Sequence, residues 1–342
     1  MWLAYQRQRE RRRSPRPQSK HPAFENEEAR CETTAESRQC RDDPACMNGL
    51  DPIANLAVPT VVWLLMLVVG LELSPSDFRR VLRYPRAVVT ATAGQLLLLP
   101  LIAAALIVAL EPPPHIVAGM VLVAASPGGA ISNVYTLLAG AHVALSVTLT
   151  AVTTLAAMLT MPLLCSAGFS LFLRPQDVVP APVLGMAMQL LLMLVFPIAL
   201  GMLLRRWQPR RVHRQKRALR RLSLLALSVL IALILYDQRE LLHAASPDIA
   251  IAALLFSAGA MVTGWTLGWL AGLSAGDRFT LLLEFTARNL AITALVGMTV
   301  LGRADFVLFA TLFFLAQVPL IVGLIVLRTA RLNLPRRLSD DR

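Results

Sequence analysis

Charge is scarce in this chain. Asp, Glu, Lys and Arg together make up 16% of its 342 residues, against 56% hydrophobic residues. A soluble domain of this length needs more polar surface than that, because only its interior is apolar. Cysteine is also scarce. Of the four, Cys165 sits in an apolar run and is expected to be a buried thiol, while Cys31, Cys40 and Cys46 stand in a polar segment at spacings that fit no zinc pattern. No metal-ligand cluster, nucleophile triad or phosphate-binding loop appears, so covalent chemistry is not implied and no cofactor is expected.

What the chain has instead is long uncharged runs. Residues 96–110, 218–235 and 306–327 are nearly free of charge, and mean hydropathy is +0.60. A membrane span needs roughly 20 such residues at about 1.5 Å of rise each. Only helices and closed barrels satisfy their backbone in lipid, and these runs are continuous rather than alternating, so the expectation is an all-α integral membrane protein. The runs place about nine transmembrane helices near 53–73, 87–110, 116–139, 143–170, 182–204, 219–236, 248–272, 279–301 and 304–327.

The net charge of +12 points to orientation in a bilayer, not to nucleic acid, because the basic residues fall between the apolar runs. Arg79, Arg80, Arg83 and Arg86 follow the first span. Arg205, Arg206, Arg210, Arg211, Arg214, Lys216 and Arg217 follow the fifth, and Arg328, Arg331, Arg336, Arg337 and Arg342 follow the last. With nine alternating spans all of these share one side, and the other side has only Arg174, Arg239 and Arg303. That asymmetry puts the C-terminus in the cytoplasm and residue 50 outside, in a plasma membrane or bacterial inner membrane. Residues 1–50 disagree with it. They carry ten Lys/Arg and eight Asp/Glu with almost no apolar periodicity, and read as a disordered tail with no signal-peptide core. Two accounts remain: a translocated tail whose preceding span has been lost, or, as the expectation here, a true start near Met47. The transporter domain is then 51–328, with a basic cytoplasmic tail at 329–342.

Polar groups inside spans are the informative ones, since a central charge costs about 2.5–3.5 kcal/mol on insertion scales. The third span contains Pro127-Gly128-Gly129, expected to break the helix, followed by Ser132 and Asn133. Ser146 and Thr150 of the fourth span lie four apart and so on one face. The eighth span holds Glu284, Arg288 and Asn289. Each has a bland alternative: a simple kink, hydroxyls bonded back to their own helix, and an i, i+4 ion pair used for packing. Together, hydroxyls, an amide oxygen, a carboxylate and freed carbonyls are the hard oxygen donors that sodium takes.

The segments GLELSPSDF at 70–78, GQLLLLPL at 94–101, SPGGAISN at 126–133 and ALSVTLT at 144–150 resemble, in order and spacing, the bile acid:sodium symporter family. The E…RN of 284–289 matches its second region less completely. The resemblance covers nearly all of 51–327. It implies two inverted repeats, here 4 + 5 spans, with two discontinuous helices (spans three and eight) crossing near the midplane. It implies sodium as the coupling ion at Ser132, Asn133, Ser146, Thr150 and Glu284, with a second site at Gln95, Glu284 and the backbone around Phe285 and Ala287. Asn289, Arg288 and Ala130 fall on the substrate side. One residue departs from the pattern: Arg288 stands where a neutral glutamine ligand is expected, and a guanidinium has donors only. As a neighbour of Glu284 it is expected to take the place of one sodium, with a carboxylate clamp and a structural partner of Glu284 as open rivals. The eighth span has no glycine at its implied break, so its residues do not predict one.

The resulting expectation is sodium-coupled symport of a small organic anion, sterol-like or a small carboxylate, with the lipid bilayer as the other partner and no nucleic acid. A core of spans two, three, four, seven, eight and nine is expected beside a panel of one, five and six. The alternatives are a proton-coupled or uniport carrier using Glu284 and a non-transporting receptor or scaffold.

Overall fold

Helix follows helix along the chain, with prolines at several starts, where the ring costs no hydrogen bond. The computed structural model describes residues 52–73, 85–174, 183–244 and 246–340. The 1–50 tail with its three cysteines, the loop arginines 79, 80 and 83, and residues 74–78 of the first family segment lie outside the described residues.

The helices are α1 (Pro52–Glu72), α2 (Pro85–Leu110), α3 (Pro114–Ala125), α4 (Ile131–Leu138), α5 (Val143–Phe172), α6 (Val183–Leu190), α7 (Phe196–Trp207), α8 (Pro209–Asp237), α9 (Arg239–Ala244), α10 (Pro247–Leu270), α11 (Ala275–Thr286), α12 (Leu290–Leu295) and α13 (Leu308–Asp340). A π-helical turn, Leu191–Val195, joins α6 to α7, and another, Val296–Val300, extends α12. No β-strand forms among the described residues; the lone bridge is between Gly128 and Arg288.

Five of these segments are long and apolar enough to cross a bilayer: Pro85–Leu110, Val143–Phe172, Val183–Trp207, Pro247–Leu270 and Ala304–Ala330. Shorter apolar helices fall within the other expected spans: Val58–Leu71, Pro114–Ala125, Leu225–Tyr236 and Leu290–Val300. Leu97, Leu101 and Val108 on α2, each more than 60% exposed, form an outer surface suited to acyl chains rather than water. The protein is an all-α, multi-pass membrane protein.

The same order of elements occurs twice. A long helix, a broken pair and a long helix run as α2, α3/α4, α5 and again as α10, α11/α12, α13. These six spans pack on one another, with Phe256 of α10 edge-on to Phe309 and Phe313 of α13 at 6.1 and 5.4 Å. Beside them α1 meets α7 at Gly70 and Gly201. A side chain at either position would run into the opposing backbone, at Ile198 and Leu67 respectively, so the glycines let the two helices touch.

Candidate functional site

Two helix breaks meet back to back. Between α3 and α4 the chain is extended through Pro127-Gly128-Gly129, as the sequence predicts, and is more than a kink. Between α11 and α12 it leaves the helix at Ala287 (φ −81°, ψ 78°) and Asn289 (φ −84°, ψ 89°), each at the centre of a tight three-residue turn, which the residues there do not predict. The Gly129 N–H donates to the Ala287 carbonyl at 2.7 Å, and the Asn289 N–H donates to the Pro127 carbonyl at 3.1 Å. Gly128 and Arg288 face each other as an antiparallel pair. The pattern is two-fold: exchanging the two breaks exchanges the two hydrogen bonds. Each break thus supplies the partners its neighbour lost, which is how non-helical backbone survives at membrane depth.

On one side of this crossover lies a buried carboxylate. Glu284, in the last turn of α11, accepts from Ser132 Oγ at 2.5 Å, from Ser146 Oγ, and from Thr150 Oγ1 at 3.1 and 3.2 Å to its two oxygens. Ser132 Oγ is 3.4 Å from both Ser146 Oγ and Thr150 Oγ1. Ser132, Ser146 and Glu284 have no exposed surface. Three hydroxyls from two spans therefore converge on a carboxylate from a third. Ser146 and Thr150 reach Glu284 rather than ending on their own helix, whereas Thr153 one turn on bonds back to Leu149. The glycine of the bridge makes room: a Cβ at Gly128 would lie 2.7 Å from Glu284 Oε2.

Beside the crossover also lies a cavity of about 190 Å³ lined by Gly129, Ala130, Asn133, Arg288 and Asn289, with apolar walls from α1, α5, α8 and α13. Ala130, Arg288 and Asn289, the three positions expected near substrate, all reach it. Asn133 reaches it too, with its Oδ1 buried and unpartnered. Asn289 also caps α12, its Oδ1 accepting from the Ile292 N–H at 3.2 Å. In the sequence this is only an Asn directly before the apolar Leu290, which by itself does not mark a break.

Arg288 is not where helical spacing puts it. Because α11 ends at Thr286, the i, i+4 relation to Glu284 is lost and no ion pair joins the two. Its Nη1 instead donates to Gln95 Oε1 of α2 at 2.6 Å. Gln95 is thus bonded to a cation belonging to the protein, and takes no part in the hydroxyl cluster around Glu284. The partnership spans 193 positions, beyond the reach of local pattern.

Residues 59–245 match the family model described as Sodium Bile acid symporter family. The chain belongs to this family. Among its relatives, the "Uncharacterized sodium-dependent transporter YocS" of Bacillus subtilis (strain 168) is 30% identical over 52% of this chain and 53% of its own length. The "Probable sodium/metabolite cotransporter BASS2, chloroplastic" of Oryza sativa subsp. japonica is 29% identical over 70% of this chain and 53% of its own. The corresponding BASS1 of Arabidopsis thaliana is 24% identical over 72% and 59%. The chain spans about half the length of the curated relatives it matches. The symporter family is one of transporters, not enzymes.

Proposed function

We propose that this chain is a sodium-coupled symporter of a small organic anion, with the ion at the Glu284 cluster and the anion in the crossover cavity. The observation that carries this is the convergence of Ser132, Ser146 and Thr150 on the buried Glu284 carboxylate, one residue away from a cavity-lining asparagine. A buried carboxylate with hydroxyls around it is a ready oxygen shell for a hard monovalent cation. When sodium enters, the three hydroxyls turn their lone pairs toward it and the ion replaces their hydrogens as the neutralising charge. Asn133 Oδ1, buried without a donor, is a fifth oxygen for the same ion.

Coupling follows from α4. Ser132 faces the carboxylate and its neighbour Asn133 lines the cavity, so one helical turn carries both sites. An ion that ties Ser132 to Glu284 also fixes the wall against which the anion rests. The basic residues orient the chain with residue 50 outside and the C-terminus in the cytoplasm of a plasma membrane or bacterial inner membrane.

Purified protein in liposomes should take up a labelled organic anion under an inward sodium gradient and not under a potassium gradient. Glu284→Ala and Asn133→Ala should each abolish the sodium-dependent part while the protein stays monodisperse in detergent. Uptake that follows a pH gradient and ignores sodium would make Glu284 a proton carrier and overturn the reading.

A further inference from the structure

Among the described residues, two of the buried ones carry a formal charge. Glu284 is wholly enclosed and Arg288 is 5% exposed; the other buried polar residues are hydroxyls and amides. The two charges border one residue of the crossover. Arg288 faces Gly128 across the backbone bridge, and Glu284 Oε2 lies 2.7 Å from where a Cβ on Gly128 would stand. They do not neutralise each other by contact. The carboxylate is turned to Ser132, Ser146 and Thr150, and the guanidinium gives Nη1 to Gln95 Oε1 at 2.6 Å. A buried cation is thus held beside a buried anion, each in a shell of neutral groups.

Resting on the symporter reading above, we infer that Arg288 is a tethered second cation: with its charge fixed beside the Glu284 cluster, the protein binds one sodium ion and excludes another. Charge balance sets the number. Empty, the Glu284 and Arg288 pair sums to zero. One sodium at the Glu284 oxygens leaves a single positive charge, which a monovalent anion cancels. A second sodium would leave an excess positive charge in a poorly solvated site, where like charges repel with little screening. Ligands for it are also wanting. Gln95 Oε1, the oxygen that α2 brings to the crossover, is engaged by Arg288, and a guanidinium has donors only. Arginine keeps its proton under the conditions in which other side chains titrate, so this cation stays through the whole cycle. The consequence is in the driving force. One sodium with one monovalent anion moves no net charge, so the sodium gradient acts alone and the membrane potential adds nothing.

Sodium is its own probe, so the test works without knowing the anion. Equilibrium binding of radiolabelled sodium to the purified full chain in detergent counts the ions. The unchanged protein should saturate at one ion per chain, with a Hill coefficient near one. Arg288→Gln removes the charge and frees Gln95 Oε1 beside a second amide oxygen. It should bind two ions, with a Hill coefficient rising toward two. Arg288→Lys keeps the charge but loses the planar guanidinium, and should stay at one ion. A purely structural role for Arg288 would change the melting temperature and leave the ion count alone. Two ions on the unchanged protein overturn the inference, and so do two on Arg288→Lys or only one on a folded Arg288→Gln. If Arg288→Gln does not fold, the unchanged protein and Arg288→Lys still expose the inference to failure, since either can bind two. No saturable sodium binding by the unchanged protein would mean that the symporter reading itself has failed, and that outcome is read before any variant is made.

Discussion

The two helix breaks are paired by symmetry yet built from opposite materials. The first is made of Pro127, Gly128 and Gly129; the second, Ala287 to Asn289, has no glycine and carries a guanidinium and an amide. Positive φ does not explain the glycines. Gly140, Gly272 and Gly302 have it, but Gly128 and Gly129 do not. They are small because the other strand is not. A Cβ on Gly128 would meet Glu284 Oε2 at 2.7 Å, and one on Gly129 would meet the Arg288 carbonyl at 3.0 Å. The first break is emptied of side chains where Glu284 of α11 and the backbone of the second break come against it. Mid-membrane glycine here is a matter of volume rather than of dihedral freedom.

If that account is right, the largest effect should come from refilling the empty strand. Gly128→Ala adds a single methyl group where Glu284 Oε2 now lies, and overpacking in a tight site costs about 1–3 kcal/mol. The carboxylate must swing off its hydroxyls or the bridge must open. Sodium-dependent uptake is expected to fall to background, and sodium should no longer raise the melting temperature. A Gly128→Ala protein with normal sodium response would break the comparison at its centre.

The two asparagines sharpen it. Asn289 caps α12, while the residue at the matching position before α4, Ala130, makes no side-chain cap, and Asn133 within α4 has no such duty. Asn289→Ala should therefore lower stability, by about 0.5–2 kcal/mol, as well as anion affinity. Asn133→Ala should cost sodium-dependent uptake with a melting temperature close to that of the unchanged chain. Thermal unfolding of both variants in detergent without sodium separates them; equal destabilisation would mean the caps do not differ as described.

The same contrast explains what could be read from the letters. The first break is legible because its cause is local: proline lacks the N–H and glycine weakens a helix wherever they stand. The second is not, because its cause is the first. Ala287 and Asn289 leave the helix to bond with Gly129 and Pro127, about 160 positions away. Glu284 and Arg288 mislead for that reason. Their spacing states a helical i, i+4 pair, and the break hidden between them sends one to the hydroxyls and the other to Gln95. The apolar spans were readable throughout, since lipid imposes the same demand on every one of them. The oxygen cluster was readable only as a set of residue types; which hydroxyls leave their own helix is decided by what stands opposite.

Ser126 and Thr286 put that last point at its smallest scale. They occupy matching places just before the two breaks, both are buried, and both are polar residues within a few positions of the site. By residue type and position alone each is as good a ligand as Thr150. Yet Ser126 Oγ donates to the Val123 carbonyl at 2.8 Å, and Thr286 Oγ1 donates to the Leu282 carbonyl at 2.7 Å. A hydroxyl turned back on its own helix is satisfied locally and offers nothing to an ion. The Leu282 carbonyl also belongs to the helix ladder, so removing the Thr286 hydroxyl leaves no buried acceptor stranded; the Val123 carbonyl faces Pro127, which has no N–H, and without the Ser126 hydroxyl keeps only the Ser126 N–H at 3.3 Å. Thr286→Val should then change stability by less than about 1 kcal/mol and Ser126→Ala by about 1–3 kcal/mol, while each changes sodium-dependent uptake by less than about two-fold. Thr150→Val, which removes a bond to Glu284 itself, should weaken the sodium response by about ten-fold, the loss of a hydrogen bond to a charged group. Sodium titrations of the three variants side by side check the ranking, and a response in Thr286→Val as weak as in Thr150→Val would mean that the second break takes part in holding the ion.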